Sequence, residues 1–196
     1  MIHGYQYGEC KFINDFFMSL DSYRGLIVDV GAADGIDNSN SHELINKYGW
    51  SGILIEPLTQ YFLDLKKLYS NNSKIQLVNV GCFAEEADRP FYLNGQCSSF
   101  VYKNSALSSI IKCLPLKTIL DNCKCPKDID ILSIDCEGDD MSVLRSMDWE
   151  KFNVKMVIVE HSMAKNTLFD YMSSIQYVEY GKTIGNTIFT KKLISI

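Results

Sequence analysis

The sequence predicts a doubly wound α/β fold, Rossmann-like, on a mostly parallel sheet that ends in an antiparallel C-terminal hairpin strand. Three observations carry that reading. Short β-branched apolar runs alternate with helical patterns, as parallel βαβ units require. The apolar runs are nearly continuous, as strands covered on both faces must be. The last two strand-like runs, in "IQYVEYGKTIGNTIFTKK" (175 to 192), are joined by a glycine-containing turn with no helix between them, a connection open only to antiparallel neighbours.

The elements follow in order. Residues 1 to 24 precede the first strand pattern and read as an N-terminal helical extension. "LIVDV" (26 to 30) is the first strand, and "SHELINKYG" the first helix after it. Ser39 or Ser41 can cap that helix, and Gly49 stops it in a left-handed conformation. "GILIE" (52 to 56), the helical "LTQYFLDLKKLYS" and the strand "IQLVNV" (75 to 80) complete the first half. Between residues 82 and 116 the pattern lapses into short β-like pieces, "PFYLN" and "SSFVY". This is read as a β-rich insertion over the carboxyl ends of the strands, where open α/β sheets bind ligands. Then come "IDILSID" (129 to 135), the amphipathic "DDMSVLRSM", "VKMVIVEH" (154 to 161), the helical "AKNTLFDYMSS" and the hairpin.

The chain has 196 residues, 46% of them hydrophobic, enough for one well-buried core, so residues 1 to 196 are expected to form a single domain. A net charge of -5 lacks the basic footprint of a nucleic-acid binder. The expected partner is a small molecule or glycan, with no nucleic acid. No basic leader and no run near the roughly 20 apolar residues of a membrane span is present, so a cytoplasmic protein without a membrane span is expected. The charge and composition leave the oligomeric state open. Seven cysteines at irregular spacing read as reduced thiols, with Cys82, Cys97 and Cys136 in apolar surroundings. Cys123 and Cys125 stand too close for the usual zinc knuckle, and no suitably spaced histidine pairs with them.

"GLIVDVGAADG" (25 to 35) carries the first candidate site. A glycine turn between strand and helix lets a ligand approach the backbone. The dinucleotide fingerprint G-x-G-x-x-G is broken by Ala33 and Ile36, and Asp34 would face a pyrophosphate of like charge. S-adenosylmethionine has the opposite demands, being an ammonium and a sulfonium with one carboxylate. Asp29 or Asp34 can accept from the ammonium, and the glycine-loop amides can take the carboxylate. Glu56, at the end of the second strand, is placed to accept from both ribose hydroxyls. Asn79 or Cys82, after the third strand, can border adenine. The bland alternative for Asp29 and Asp34 is turn and helix-start chemistry.

"VDVGAADGIDNSN", "YGWSGILIEP" and "IDILSIDCEGDDMSVLRSMDWEKFNVKMVIVEH" together resemble the FkbM family of S-adenosylmethionine-dependent methyltransferases over residues 26 to 162. The resemblance implies a class I methyltransferase fold with a seven-stranded sheet whose last strand is antiparallel. It implies O-methylation of hydroxyls on sugars, polyketides or other secondary metabolites. It also puts Gly31, Asp34, Gly35, Asn40 and Glu56 at the cofactor site. Any substrate-recognition region formed ahead of the first strand in longer relatives is expected to be reduced here to residues 1 to 24.

The second candidate site is "SIDCEGDD" (133 to 140). Asp135 ends the fourth strand and faces the crevice, and Glu137 follows it, while Asp139 and Asp140 read as a helix cap and dipole partners. The fifth strand ends in Glu160 and His161 beside it. Two mechanisms use this cluster. Either His161 is the general base for a substrate hydroxyl, or Asp135 and Glu160, with Glu137, hold Mg²⁺ that lowers the hydroxyl pKa. Asp135, Glu137 and His161 are thus the catalytic candidates, and Asp135 and Glu160 the metal candidates. Two other functions stay open: an NAD-binding oxidoreductase on the same sheet, and a non-catalytic methyltransferase-like domain.

Overall fold

The computed structural model describes residues 8–18, 20–100, 108–160 and 165–192. Ten strands and six helices are assigned among them. The main sheet contains β1 (Leu26–Val30), β2 (Ser51–Ile55), β3 (Ile75–Val78), β7 (Asp128–Ile134), β8 (Asn153–Glu160), β9 (Tyr177–Lys182) and β10 (Asn186–Lys191). Its order is β3-β2-β1-β7-β8-β10-β9. The pairs among β3, β2, β1, β7 and β8 are parallel, and β10 is antiparallel to both neighbours. The C-terminal hairpin expected from the sequence is therefore present, with its second strand inserted inside the sheet.

Two cores explain the continuous apolar runs. Val28, Val30, Ile53, Ile55, Leu132, Val157 and Val159 point to one face. There they meet α4 (Leu116–Asn122), α5 (Asp140–Arg145) and α6 (Lys165–Ser174). Ile27, Leu54, Ile131, Met156 and Ile158 point to the other, against α1 (Glu9–Phe17), α2 (His42–Asn46) and α3 (Thr59–Leu68). Successive residues of each strand feed opposite layers, so both faces call for apolar side chains, with Asp29, Asp130 and Ser133 as buried polar exceptions. The expected N-terminal extension supplies α1, held to the hairpin by buried Glu9, whose Oε1 accepts from Thr183 Oγ1 and Asn186 Nδ2 at 2.8 Å each.

Helix α4 has no counterpart among the elements expected from the sequence. It follows Pro115 and buries Leu116, Ile119 and Leu120, but seven residues give too little periodicity to stand out beside the cysteine-rich segment after it. Gly49 adopts the expected left-handed φ of 69°. The cap of α2 is divided between the two serines: Ser39 Oγ accepts the His42 amide at 3.0 Å, whereas Ser41, at the N-cap position, donates its hydroxyl elsewhere.

The insertion is a three-stranded sheet of β4 (Gly81–Cys82), β5 (Ala87–Tyr92) and β6 (Ser108–Leu114) in the order β4-β6-β5. "PFYLN" falls partly in β5. "SSFVY" makes only a single bridge, Ser99 to Tyr92, before it enters 101–107, which lie outside the described residues.

Strand register positions the site. Val30 pairs with Ile55 and Ile134, and Ile134 with Val159. The next residues, Gly31, Glu56, Asp135 and Glu160, therefore form one row across the carboxyl end of the sheet.

Candidate active site

Two cavities adjoin along that row. The first, about 520 Å³ of open space, is walled by Ile55, Leu58, Tyr61, Cys82, Phe91 and Phe100, with Glu56 as its buried acid. The second, about 700 Å³, is lined by Asp29, Asp37, Asn40, Ser133, Asp135, Glu137 and Glu160. One is apolar and aromatic, the other acidic and polar.

The β1 loop forms the floor they share. Gly31 has φ 88°, and a Cβ there would stand 1.9 Å from the Asp135 carbonyl oxygen, so the close approach of two strand ends demands glycine. The amides of Gly31 and Ala32 donate to Ile55 O (3.0 and 3.1 Å), and Gly35 N–H to Ala32 O (3.0 Å). Ala33, itself at φ 46°, donates to Glu56 Oε2 at 2.9 Å. These amides already have partners, so the expectation that the glycine loop takes the cofactor carboxylate does not hold for them.

Glu56 is 5% exposed. Its Oε1 accepts from Leu58 N–H at 2.8 Å, so each carboxylate oxygen is fixed by one amide and keeps acceptor capacity for a ligand. Burial pushes its pKa up to about 7, opposed by those two amides. Asn79 Nδ2 donates to the carbonyls of Glu56 (2.8 Å) and Pro57 (3.0 Å), so it braces the loop behind Glu56 and lies outside the cavity lining. Cys82 is buried in the first cavity's wall.

Asp29 is 4% exposed and accepts from Ser41 Oγ at 2.6 Å and from Ser133. Burial raises its pKa to about 6 against those hydroxyls, with a smaller push from Asp135. Asn40 donates from Nδ2 to Ser133 Oγ at 3.2 Å, while its buried Oδ1 has no hydrogen-bond partner among the described residues. Asp34 stands outside both cavity linings, and its Oδ1 accepts the turn amides of Ile36 (2.9 Å) and Asp37 (3.0 Å). Gly35, at φ 76°, packs against α3, where a Cβ would meet Leu65 Cδ2 at 2.6 Å. Asp34 and Gly35 therefore shape the loop from behind.

Asp135, Glu137 and Glu160 come together at the second cavity, one carboxylate oxygen of each within 4.8 Å of the others. Burial first, then the charges of Asp135, Asp140 and Glu137, raise the Glu160 pKa to about 8, and a hydrogen bond with Asp135 adds to the rise. Three close carboxylates resist full ionisation, so the cluster favours holding a proton or another positive charge. Glu137 has φ 51°. Asp140, in the first turn of α5, accepts the Cys136 amide at 2.9 Å, and Asp139 is the N-cap without a side-chain cap bond. His161 lies outside the described residues. Cys97, expected in apolar surroundings, is instead exposed at the rim, because its turn leaves the small sheet, and it hydrogen-bonds Glu137.

Tyr61, Phe91, Phe100, Gln96 and Ser133 were missed by sequence reasoning. Ser133 alone carried a local signal, a hydroxyl inside the apolar run "IDILSID". The others arrive from a distant helix and the insertion.

The topology is that of the class I methyltransferase fold, in which an antiparallel strand enters an otherwise parallel seven-stranded sheet. Residues 29–181 match the methyltransferase FkbM domain, and the chain belongs to that family. A methyltransferase FkbM from Methylobacillus flagellatus KT superposes with a TM-score of 0.57 at 16% identity, over 85% of this chain and 43% of that one. This chain thus spans less than half the length of that relative. A putative RNA methyltransferase from Pyrococcus horikoshii matches with a TM-score of 0.52 at 12% identity, over 97% and 87% of the two chains. M. capricolum TrmK, in complex with S-adenosyl-homocysteine, matches with a TM-score of 0.51 at 9% identity, over 94% and 71%. At such identities these structures show the fold. No curated protein sequence matches the chain. Among the described residues, no helix is long and apolar enough to cross a membrane.

Proposed function

We propose that the protein transfers the methyl group of S-adenosylmethionine to a hydroxyl of a small molecule, a sugar or another secondary metabolite. The observation that carries this reading is the pairing of the two cavities. An aromatic cavity with the amide-anchored Glu56 in its wall suits adenosine, with Glu56 accepting from the ribose. The adjoining acid-lined cavity suits the ammonium and sulfonium, with Asp29, in the strand that leads into the glycine loop, accepting from the ammonium. A nicotinamide dinucleotide fits poorly, since its pyrophosphate would enter the acidic cavity.

The acceptor enters on the side of Asp135, Glu137 and Glu160. No lysine or arginine is among the described lining residues of either cavity, which favours a neutral polyol over a phosphate-bearing or nucleic-acid acceptor. Asp135 takes the hydroxyl proton as the oxygen attacks the methyl carbon and the carbon–sulfur bond breaks, leaving a neutral thioether. Glu160, by holding a proton against Asp135, keeps that pair at one negative charge.

A second reading has one observation in its favour, the approach of the three carboxylates within 4.8 Å. Such hard oxygen donors fit Mg²⁺ or a similar ion, which when bound supplies Lewis-acid activation of a hydroxyl. Isothermal titration tests the donor reading: S-adenosylmethionine and S-adenosyl-homocysteine are expected to bind and NAD not to. Turnover on a panel of hydroxyl acceptors, against matched amines and a short RNA, tests the rest. Binding of NAD alone would overturn the donor assignment, and methylation confined to RNA or amines would overturn the acceptor assignment.

A further inference from the structure

We infer that the turn at residues 94–98 belongs to the methyl-donor site, lying across the donor through Gln96 where the two cavities meet. This rests on the donor reading above and adds a roof to it. Five residues line both cavities: Gly31, Ala33, Gln96, Asp135 and Glu137. Four of them come from the loops that follow β1 and β7. Gln96 alone comes from the connection between β5 and β6. A donor with its ribose at Glu56 and its ammonium near Asp29 would have to cross this shared row, which would bring its sulfur beside Gln96.

The turn is preformed for that role. Ser98 Oγ accepts the Asn94 amide at 2.8 Å and donates to Gly95 O at 2.6 Å. The Cys97 and Ser98 amides close back on Asn94 O and Gly95 O at 3.2 and 3.3 Å, and Tyr92 and Ser99 exchange backbone bonds at its base. Fully buried Ser99 donates to Glu137 O at 2.8 Å, and the Cys97 thiol bonds the Glu137 side chain. The turn is thus fastened to the catalytic loop at two points, and little ordering remains to oppose a contact from Gln96. A carboxamide oxygen is a neutral acceptor, able to rest against a positive sulfonium without adding a fourth charge to the carboxylate cluster.

Cys97, exposed beside Gln96, makes the inference testable without knowing the acceptor. N-ethylmaleimide labelling of the full chain is followed at each cysteine by peptide mass spectrometry, with and without saturating S-adenosyl-homocysteine. Labelling of Cys97 is expected to slow by about tenfold or more as access to its thiol is lost, while exposed Cys10 keeps its rate. Gln96→Ala is expected to weaken S-adenosylmethionine, the ligand that carries the sulfonium, by about three- to tenfold, the scale of one lost polar contact, with an unchanged melting temperature. Binding with undiminished Cys97 labelling would overturn the inference, as would a Gln96→Ala affinity within about twofold of the parent. Absence of any binding to the parent chain is a different outcome, seen before labelling begins, and it removes the donor reading itself.

Discussion

Gly31 and the carbonyl of Asp135 are so close that a Cβ on the glycine would lie 1.9 Å from the oxygen. The Asp135 amide in turn donates to Val30 O at 3.0 Å, so the ends of β1 and β7 are locked by contacts in both directions. A side chain at position 31 therefore disturbs the protein before it meets any ligand. Gly31→Ala is expected to destabilise by about 2 to 4 kcal/mol, combining a positive φ with overpacking. Chemical denaturation of the apoprotein measures it. A loss below about 0.5 kcal/mol, the level of an ordinary surface change, would mean the loop relaxes freely.

Glu56 holds two amides and still has capacity for a ligand, so its removal should act on donor affinity and on the loop together. Glu56→Ala is expected to weaken S-adenosyl-homocysteine by about 1.5 to 3 kcal/mol, the scale of hydrogen bonds to a charged group. Glu56→Gln should not rescue it, because the new NH₂ would oppose the amide of either Ala33 or Leu58. Titration of both variants decides the point, and a glutamine variant with parental affinity would show that neither the charge nor the second acceptor oxygen is used.

The buried acids set a pH dependence whose sign is definite. Asp29, Glu56 and Glu160 all have pKa values raised by burial, to about 6, 7 and 8 from 3.8, 4.5 and 4.5. Between the two values of each group the folded protein binds more protons than the unfolded chain, so stability falls as pH rises. The apoprotein melting temperature is expected to drop between about pH 5 and pH 8 from these groups. Donor affinity should move the other way, since a cationic ligand favours the ionised acids. S-adenosylmethionine should therefore raise the melting temperature more at the upper end of that range than at the lower. A thermal melt series with and without ligand measures both trends, and Asp29→Asn should flatten the apoprotein slope.

The sheet was legible because its signals are local. "LIVDV", "GILIE", "IDILSID" and "VKMVIVEH" each carry enough apolar, β-branched residues to be recognised alone, and the helix-free link between β9 and β10 gives their antiparallel sense. The placement of Glu56, Asp135 and Glu160 along the carboxyl end of the sheet was legible for the same reason, as acids at the ends of apolar runs. Asp34 shows the limit of this reasoning: an acid in a glycine loop reads alike whether it faces a ligand or caps its own turn, and here it takes the amides of Ile36 and Asp37. Tyr61, Phe91 and Gln96 were illegible because each reaches the cleft through tertiary packing that leaves no spacing in the sequence. Ser41 stands at the helix start that its sequence position predicts, while its hydroxyl serves Asp29.

The last prediction concerns the carboxylate cluster. Asp135, Glu137 and Glu160 border the second cavity with an oxygen from each within 4.8 Å, and the row of strand ends sets Asp135 between Gly31 and Glu160. If Asp135 receives the acceptor's proton, Asp135→Asn should lower kcat by about a hundredfold or more, the usual contribution of a positioned base, while donor affinity changes far less. Glu160→Gln tests the partner's part. An amide that donates to Asp135 without ionising should preserve much of the activity at neutral pH and remove the dependence that titration of Glu160 imposes. The metal reading predicts the opposite for that variant, because an amide is a poorer ligand than a carboxylate. It also predicts loss of activity in chelator and recovery with Mg²⁺ or Mn²⁺. The pH profile of kcat for the parent and Glu160→Gln, measured with and without chelator, therefore separates proton sharing from metal binding. Near-normal turnover in Asp135→Asn, with donor affinity intact, would move the base elsewhere.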